Sequence, residues 1–582
     1  TASYRRALAL KPDYAEAHKD LGIVLKEQGR LGEAADCCQR ALALRPDFAE
    51  AYNSLGAVRA AQGAMDEARA CFQRAVRLQP ADAEAQANLA HTLAALGELE
   101  EAAASYRRAL QRQPGHLTAL GRLIFLSQKL CAWHDLADLS RRALAAIDDD
   151  AALRGANPLP AFIALALSTP PATARQQCRC AQALAERAER TAGRGGPPLA
   201  AARPRLASEM LSIGYLSGDF RDHAVAHLIA ELFEAHDRTR LVVTGYSYGP
   251  DDGSPMRRRL ERAFDRFVDL TEVPHADAAR RIAADGVDIL VDLQGYTLGA
   301  RAPIVARRPA PVQVNYLGYP GTMGAAFIDY ILADPFVIPP DQREHFTEKV
   351  VDLPGCFQVN DGRRAIDPRT PTRAACGLPP EGFVFCCFNN SYKIAPEVFS
   401  AWMELLGAVP GSVLWLLESN PIAPKNLRRE AEARGVAAAR LVFARRLPPS
   451  EHLARYRVAD LFLDTSPYNA HTTASDALWA GCPVLTLAGA TMASRVAGSL
   501  LRAVGLPELV TTSLAEYRDQ ALRLARDASL LAGLRARLLA NRAISPLFDA
   551  GRFARNLETA YATMWANHRS GEPPRAFAVD PT

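Results

Sequence analysis

Along residues 1–114, small and apolar side chains return in a fixed rhythm. Pro12, Pro46, Pro80 and Pro114 stand 34 residues apart. Four further columns keep the step: Leu21, Leu55 and Leu89; Gly29, Gly63 and Gly97; Ala34, Ala68 and Ala102; Ala41, Ala75 and Ala109. Ala and Gly permit close helix crossings, and Pro ends each second helix. The pattern therefore predicts about three helix pairs, preceded over 4–11 by the second helix of an incomplete one. From Leu117 to about Arg205 the chain stays helical, closing in a Gly/Pro-rich connection at 193–204. After it, short β-rich runs alternate with helical segments: 211–216, 241–246, 287–293, 312–316, 330–333 and 349–353. A polar, Pro-rich stretch at 360–382 precedes a second series at 383–388, 413–417, 441–443, 461–464 and 484–487. That alternation predicts two doubly wound units with mostly parallel strands, and a ligand cleft between them at the carboxyl ends of the strands.

A 34-residue helix pair is the tetratricopeptide period. Such arrays stack into a superhelix whose concave face binds extended peptide, which favours protein-substrate recruitment over a structural cap or an oligomerisation surface. At 582 residues the chain needs two or three folding units, and 49% hydrophobic with 23% charged residues is a globular composition. A net charge of +4, spread along the chain, gives no case for nucleic acid or an acidic membrane. No run approaches 18 apolar residues free of charge or proline, so no membrane span is expected. The opening Thr1-Ala2-Ser3 has no leader-like pattern and no Met, so the first complete repeat need not be the natural first one. The eleven cysteines include no CxxC pair and no Cys/His quartet at metal spacing. They read as buried thiols of a reducing, cytoplasmic compartment. GxGxxG and GxxxxGK[ST] are both absent, so a dinucleotide fold or P-loop ATPase has no support.

Three clusters follow β-runs. In Ser217-Gly218-Asp219-Phe220-Arg221-Asp222-His223, with His227 a helical turn on, a His beside carboxylates can act as acid or base; the plainer reading is a helix cap with a surface His. In Phe388-Asn389-Asn390-Ser391-Tyr392-Lys393, a cation and an amide suit a pyrophosphate, or the Lys is simply a loop residue. The third, 464–476, runs from a strand into a helix starting near Thr472. Free N–H groups with Thr472 and Thr473 hydroxyls suit phosphate there, and Asp476 suits ribose hydroxyls; an ordinary capped helix fits the same residues.

The strings GYLSGDFRDHAVAHL (214–228), DLQGYTLGARAPIVARRPAPVQVNYLGYPGTMGAAFIDYILAD (292–334), FNNSYKIAPEVFSAWMELLGAVPGSVLWLL (388–417), ADLFLDTSPYNAHTTASDALWAGCPVLTLAGATMASRVAGSLL (459–501) and ISPLFDAGRF (544–553) closely resemble the nucleocytoplasmic protein O-linked N-acetylglucosamine transferases. The resemblance runs over about 211–568. It implies an α-helical tetratricopeptide superhelix followed by an α/β GT-B fold of two Rossmann-like lobes. It further implies UDP-GlcNAc as donor and inverting transfer to Ser or Thr hydroxyls of acceptor proteins, with no metal and no cofactor. Position by position it implies Asp219 and His223 near acceptor and sugar, with His227 lining the sugar side. Gly318 and Thr322 fall beside the GlcNAc ring, and Asn390 and Lys393 at the diphosphate, Lys393 stabilising departing UDP. His452 and Arg455 flank uracil, His471, Thr472 and Thr473 meet phosphate, and Asp476 meets the ribose.

The chain departs from the family in places. Pro449 stands where a second Lys is usual near uracil, Asn390 replaces a Gln, and Ala224 replaces a Pro. A His-rich segment proposed to act in animal enzymes has no counterpart near 159–166. The asparagine ladder of the long arrays is represented by Asp20, Ser54 and Asn88, one match in three. The only DxD-like string, Asp148-Asp149-Asp150, lies in the helical region. The compact linker (355–382) and short array suggest a bacterial homologue. The expected organisation is 1–130 repeats, 131–205 connector, 206–375 first lobe, 376–568 UDP-sugar lobe and 569–582 tail. A same-fold enzyme using GDP-fucose or UDP-glucose, or a non-catalytic scaffold, are the alternatives.

Overall fold

The computed structural model describes residues 1–155, 157–193, 199 and 210–582. Most of the expected 193–204 connection, and the expected boundary at 205/206, lie outside the described residues. The array comprises α1 (Ala2–Leu10), then the pairs α2 (Ala15–Glu27) and α3 (Leu31–Leu44), α4 (Ala49–Ala61) and α5 (Met65–Leu78), and α6 (Ala83–Ala95) and α7 (Leu99–Arg112). The periodic Leu and Ala columns are buried, and the six periodic Ala side chains are fully so, because the crossings leave room for a methyl group and little more. Gly29, Gly63 and Gly97 carry φ of 79°, 81° and 86°, a left-handed turn between paired helices that a Cβ would strain.

Helix α8 (Leu117–Leu130) joins the array to the rest. The last carbonyls of a helix lack intrahelical donors, and here the second lobe supplies them. The Lys129 carbonyl accepts from Ser391 Oγ (2.6 Å) and Asn420 Nδ2 (2.8 Å), and the Leu130 carbonyl from Asn426 Nδ2 (2.8 Å). One apolar core runs from Ala68 and Phe72 of α5, in the second helix pair, through both lobes, while other residues of the first two pairs form small cores of their own. The expected helical stretch is broken near Pro158 and Pro170 into shorter helices, among them Leu136–Asp148, Ala161–Ala166 and Ala174–Gly193.

The first lobe is a parallel sheet of β1 (Leu211–Ser217), β2 (Leu241–Ser247), β3 (Arg266–Asp269), β4 (Ile289–Asp292), β5 (Val312–Asn315), β6 (Tyr330–Ala333) and β7 (Lys349–Asp352). The second contains β8 (Val384–Cys387), β9 (Val413–Leu417), β10 (Leu441–Ala444), β11 (Leu461–Leu463), β12 (Val484–Leu487) and β13 (Val510–Thr511). Their orders, β3-β2-β1-β4-β5-β6-β7 and β10-β9-β8-β11-β12-β13, are each doubly wound, with strand order reversing between β1 and β4 and between β8 and β11. The carboxyl side of such a reversal forms a crevice, which predicts where the site lies. Three strands were not read from sequence: the half-exposed edge strand β3 and the two-residue β13 and β14 (Phe577–Ala578).

The C-terminal segment corrects the expected organisation. Helix Ala550–Arg569 packs on the first lobe rather than the second. Tyr561 Oη lies 3.0 Å from Tyr215 Oη, and Glu558 meets His236 Nδ1 at 2.9 Å and the Asp237 N–H at 3.0 Å. The expected tail then supplies β14, which pairs with β7 as an eighth strand of the first sheet. Unpaired edge groups of β7 give the reason.

Candidate active site

In the first lobe β1 delivers the chain to Asp219, 8% exposed, whose carboxylate lies 3.5 Å from His223 Nδ1 and 3.5 Å from the Arg221 guanidinium. His223 caps helix Ala224–Ala235, its Nδ1 accepting the Val225 N–H at 3.3 Å, so the capping residue is the His itself. Burial holds its pKa below the ordinary imidazole value against the opposing Asp219 charge, which leaves the ring neutral at pH 7. His227 Nε2 pairs with Asp222 Oδ1 at 2.6 Å. From β4, across the strand-order reversal, Gln294 Oε1 accepts the Gly218 N–H at 3.1 Å and steadies this turn. Gly318 lies against the end of β4: a Cβ there would sit 1.8 Å from the Leu293 carbonyl, so no other residue fits without a backbone shift. Thr322 differs from the expectation of a sugar contact. It is buried and turned into the lobe, its hydroxyl donating to Glu348 at 2.5 Å.

In the second lobe β8 ends at Cys387, two residues before Asn389, and a short 3-10 turn carries Ser391–Lys393. Lys393 Nζ donates to the Asn469 carbonyl at 2.7 Å and sits 4.2 Å from the Tyr468 ring centroid. Burial lowers its pKa to about 8 against the pull of Asp464. Asp464, at the end of β11, is itself raised to about 7 by burial, its hydrogen bonds and Lys393 opposing. It accepts the N–H groups of Thr465 (2.7 Å) and Ala470 (2.6 Å) on one oxygen and the Thr486 hydroxyl (2.6 Å) on the other. That fixes both ends of the loop leading to helix Thr472–Ala480. His471 is the residue before this helix and makes no side-chain cap. Instead it stacks on Tyr468 and meets the Ala493 carbonyl through Nε2 at 3.2 Å. The first-turn N–H groups thus receive no cap from it, as an anion-binding start requires.

Of the two asparagines after β8, Asn390 is exposed, whereas Asn389 is buried and tied to Thr465 Oγ1 (2.8 Å) and the Thr473 hydroxyl. His452 stands edge-on to Phe388 and Tyr456, its Nε2 3.8 Å from Asp476 and its Nδ1 against Arg455; burial lowers its pKa to about 4. Arg455, 2% exposed, lies beneath Phe388 and donates to the Arg445 carbonyl at 2.9 Å. It supports His452 from below. Asp476 pairs with Arg364 of the inter-lobe linker, whose Nε and Nη2 are buried without a partner among the described residues. Sequence reasoning assigned no role to Asn389, Gln294 or Asp464, although each stands at a strand end. Arg364 gave no local signal, its partner lying 112 positions away.

Helix Ala224–Ala235 touches helix Thr472–Ala480, and Gln358 Nε2 crosses between the lobes to Ser475 Oγ (2.7 Å), so the two strand-end clusters share one cleft. Among the described residues no group of three or more His, Cys, Asp or Glu could hold a metal ion. A cavity of about 760 Å³ opens between the array and the first lobe, lined from α6, α7, α8, helix Ala174–Gly193 and the loop after β4. Phe162, in its wall, lies 6.2 Å from the Tyr468 ring beside Lys393, so one wall of the cavity adjoins the cleft.

Residues 197–370 and 366–557 match glycosyl transferase family 41 over the whole of this two-lobed cleft. The chain belongs to that family. Ahead of the family 41 region, 22–63 and 55–116 match tetratricopeptide repeats. The chain is 41% identical over 375 residues to a probable UDP-N-acetylglucosamine–peptide N-acetylglucosaminyltransferase, SEC, of Arabidopsis thaliana, covering 63% of this chain and 38% of that protein. To the UDP-N-acetylglucosamine–peptide N-acetylglucosaminyltransferase of Caenorhabditis elegans it is 31% identical over 477 residues, covering 63% and 41%. It spans about two fifths of the length of these curated relatives. Among solved structures, a mutant O-GlcNAc transferase of Thermobaculum terrenum superposes with a TM-score of 0.67 at 32% identity, covering 96% of this chain and 98% of that one. A GT-B pair of lobes behind a tetratricopeptide array is therefore the architecture of this family 41 protein.

Proposed function

We propose that this family 41 protein transfers N-acetylglucosamine from UDP-GlcNAc to Ser or Thr hydroxyls of proteins, with inversion, without a metal, and with the array recruiting the acceptor. A cytosolic location goes with that reading, on eleven cysteines that all stand as thiols. The observation that carries it is the Lys393 ammonium held beside an uncapped helix start, both at the strand-order reversal of the second lobe. Inverting transfer breaks the anomeric carbon–oxygen bond to UDP as the acceptor oxygen bonds to that carbon, so negative charge grows on the leaving diphosphate. A cation and N–H dipoles fixed in advance stabilise that charge without reorganising. Asp476 and His452 meet the nucleoside end. Taking the acceptor proton at Nε2 requires the tautomer of neutral His223 with its ring proton on Nδ1, which then faces Asp219 at 3.5 Å in place of accepting the Val225 N–H; in that form His223 is the base. The acceptor reaches the cleft through the cavity beneath the array.

Calorimetric titration with UDP in chelator, against GDP as control, tests the donor site; binding of GDP in place of UDP would move the donor to another nucleotide sugar. Replacing Lys393 by Ala is expected to lower turnover by about 10²–10³-fold with melting temperature retained. Near-normal turnover of that variant would remove Lys393 from the reaction.

A further inference from the structure

The cavity between array and first lobe has a one-sided charge. Its walls are mostly aliphatic and aromatic, Leu99, Phe125 and Phe162 among them. Its charged lining is basic, Arg122 and Lys129 from α8 with Arg187 from helix Ala174–Gly193, and no carboxylate lines it among the described residues. Arg122 donates to His91 Nδ1 at 2.9 Å. Burial and the guanidinium itself hold His91 at a pKa of about 4, so that partner is a neutral ring. The Tyr106 hydroxyl is its other neighbour, and neutral as well. Neither Arg122 nor Lys129 forms an ion pair with a carboxylate among the described residues. On the surface of this protein arginines commonly have such partners, for example Arg69 with Asp66 and Glu98. A half-buried guanidinium left without its counter-charge in an apolar wall holds binding free energy for an incoming carboxylate, because the desolvation cost is already met in the folded state.

Lys129 joins the two sites. Its side chain lines the cavity, while its carbonyl holds Ser391, two residues before Lys393. Whatever occupies the cavity therefore lies against the helix that holds the donor loop.

We infer that the cavity selects acceptor polypeptides in which acidic side chains alternate with apolar ones near the modified hydroxyl, Arg122 and Lys129 taking the carboxylates. This rests on the reading of the protein as a protein glycosyltransferase and specifies the acceptor class. A volume of about 760 Å³ is within the usual range for a specific ligand pocket and accommodates a few side chains of an extended segment.

The test uses a fluorescein-labelled peptide alternating Glu with Leu and Val around a central Ala in place of the acceptor Ser, with twins carrying Gln or Lys for Glu. Binding is read by anisotropy with UDP present and requires no turnover. The Glu peptide is expected to bind about tenfold more tightly than the Gln twin, the difference shrinking as salt is raised. Arg122→Gln with Lys129→Gln should erase that difference while leaving the calorimetric affinity for UDP unchanged. Arg122→Lys, which keeps the charge, should restore much of it and controls for folding. Equal binding of the Glu and Gln peptides, or a Glu preference that survives the double substitution, overturns the inference. So does saturation of the cavity by dodecanoate with no peptide binding, which would make the occupant a small amphipathic anion. Failure of UDP to bind would count against the proposed function, and the peptide arms still read the cavity separately.

Discussion

Lys393 combines a charge that the reaction needs with an environment that resists charge. Burial lowers its pKa to about 8, and Asp464 acts in the opposite direction. The protonated form prevails below that value and is lost above it. UDP affinity should therefore be level around neutrality and weaken as pH rises through about 8, by up to tenfold per unit in the limit. Bound diphosphate favours the ammonium, so the same limb measured at saturating donor should lie further alkaline. Calorimetric dissociation constants from mildly acidic to alkaline pH check both; a flat profile would show that the cation contributes nothing to nucleotide binding. Burial holds His223 below the ordinary imidazole value, so it imposes no loss near pH 7. At this scale residue type was legible and pairing was not. Lys393, His471 and Asp476 stand out in a strand-to-helix pattern, but Arg364, which meets Asp476, lies in a linker with no pattern. Nothing local distinguishes the inward Asn389 from the exposed Asn390 beside it.

The loop from Asp464 to His471 gains its shape from one buried carboxylate. Asp464 takes N–H groups from both ends of the loop, and the loop in turn presents the Asn469 carbonyl and Tyr468 ring to Lys393. Replacing Asp464 by Ala leaves two buried N–H groups and the Thr486 hydroxyl without this acceptor. The expected cost is about 3 kcal/mol or more of stability, together with weaker UDP binding because Lys393 loses its frame. Denaturant titration and calorimetry read the two effects, and unchanged UDP affinity would dissociate the loop from the donor site. Elements with strong periodicity were readable in advance. The 34-residue Pro, Gly and Ala columns give the array because each repeat solves the same packing problem. β8–β12 read as apolar runs because a parallel strand is buried on both faces. β3 escaped because an edge strand with exposed Arg266 and Asp269 looks like a loop, and β14 because two residues cannot show a period. The tail's return to the first sheet depends on an unpaired edge hundreds of residues away.

Across the whole molecule the two lobes are tied by Gln358 to Ser475 and by Ser499 donating to Asp334 at 2.6 Å, and the array is tied to the second lobe through α8. The first lobe is also closed by β14, Phe577 pairing with Val351 and Ala578 with Asp352. Substituting Phe577 by Asp should set a carboxylate beside Tyr330, whose ring lies 6.3 Å from that of Phe577. We expect a lower melting temperature, by about 1–3 kcal/mol in stability, with UDP binding preserved; calorimetric scans and titration measure the two, and an unchanged melting point would make β14 dispensable. Residues 384–511 complete the second sheet by themselves. During synthesis the lobe made second can thus finish its sheet while the one made first still waits for an edge. Until residue 578 leaves the ribosome, β7 stays open to pairing with another chain.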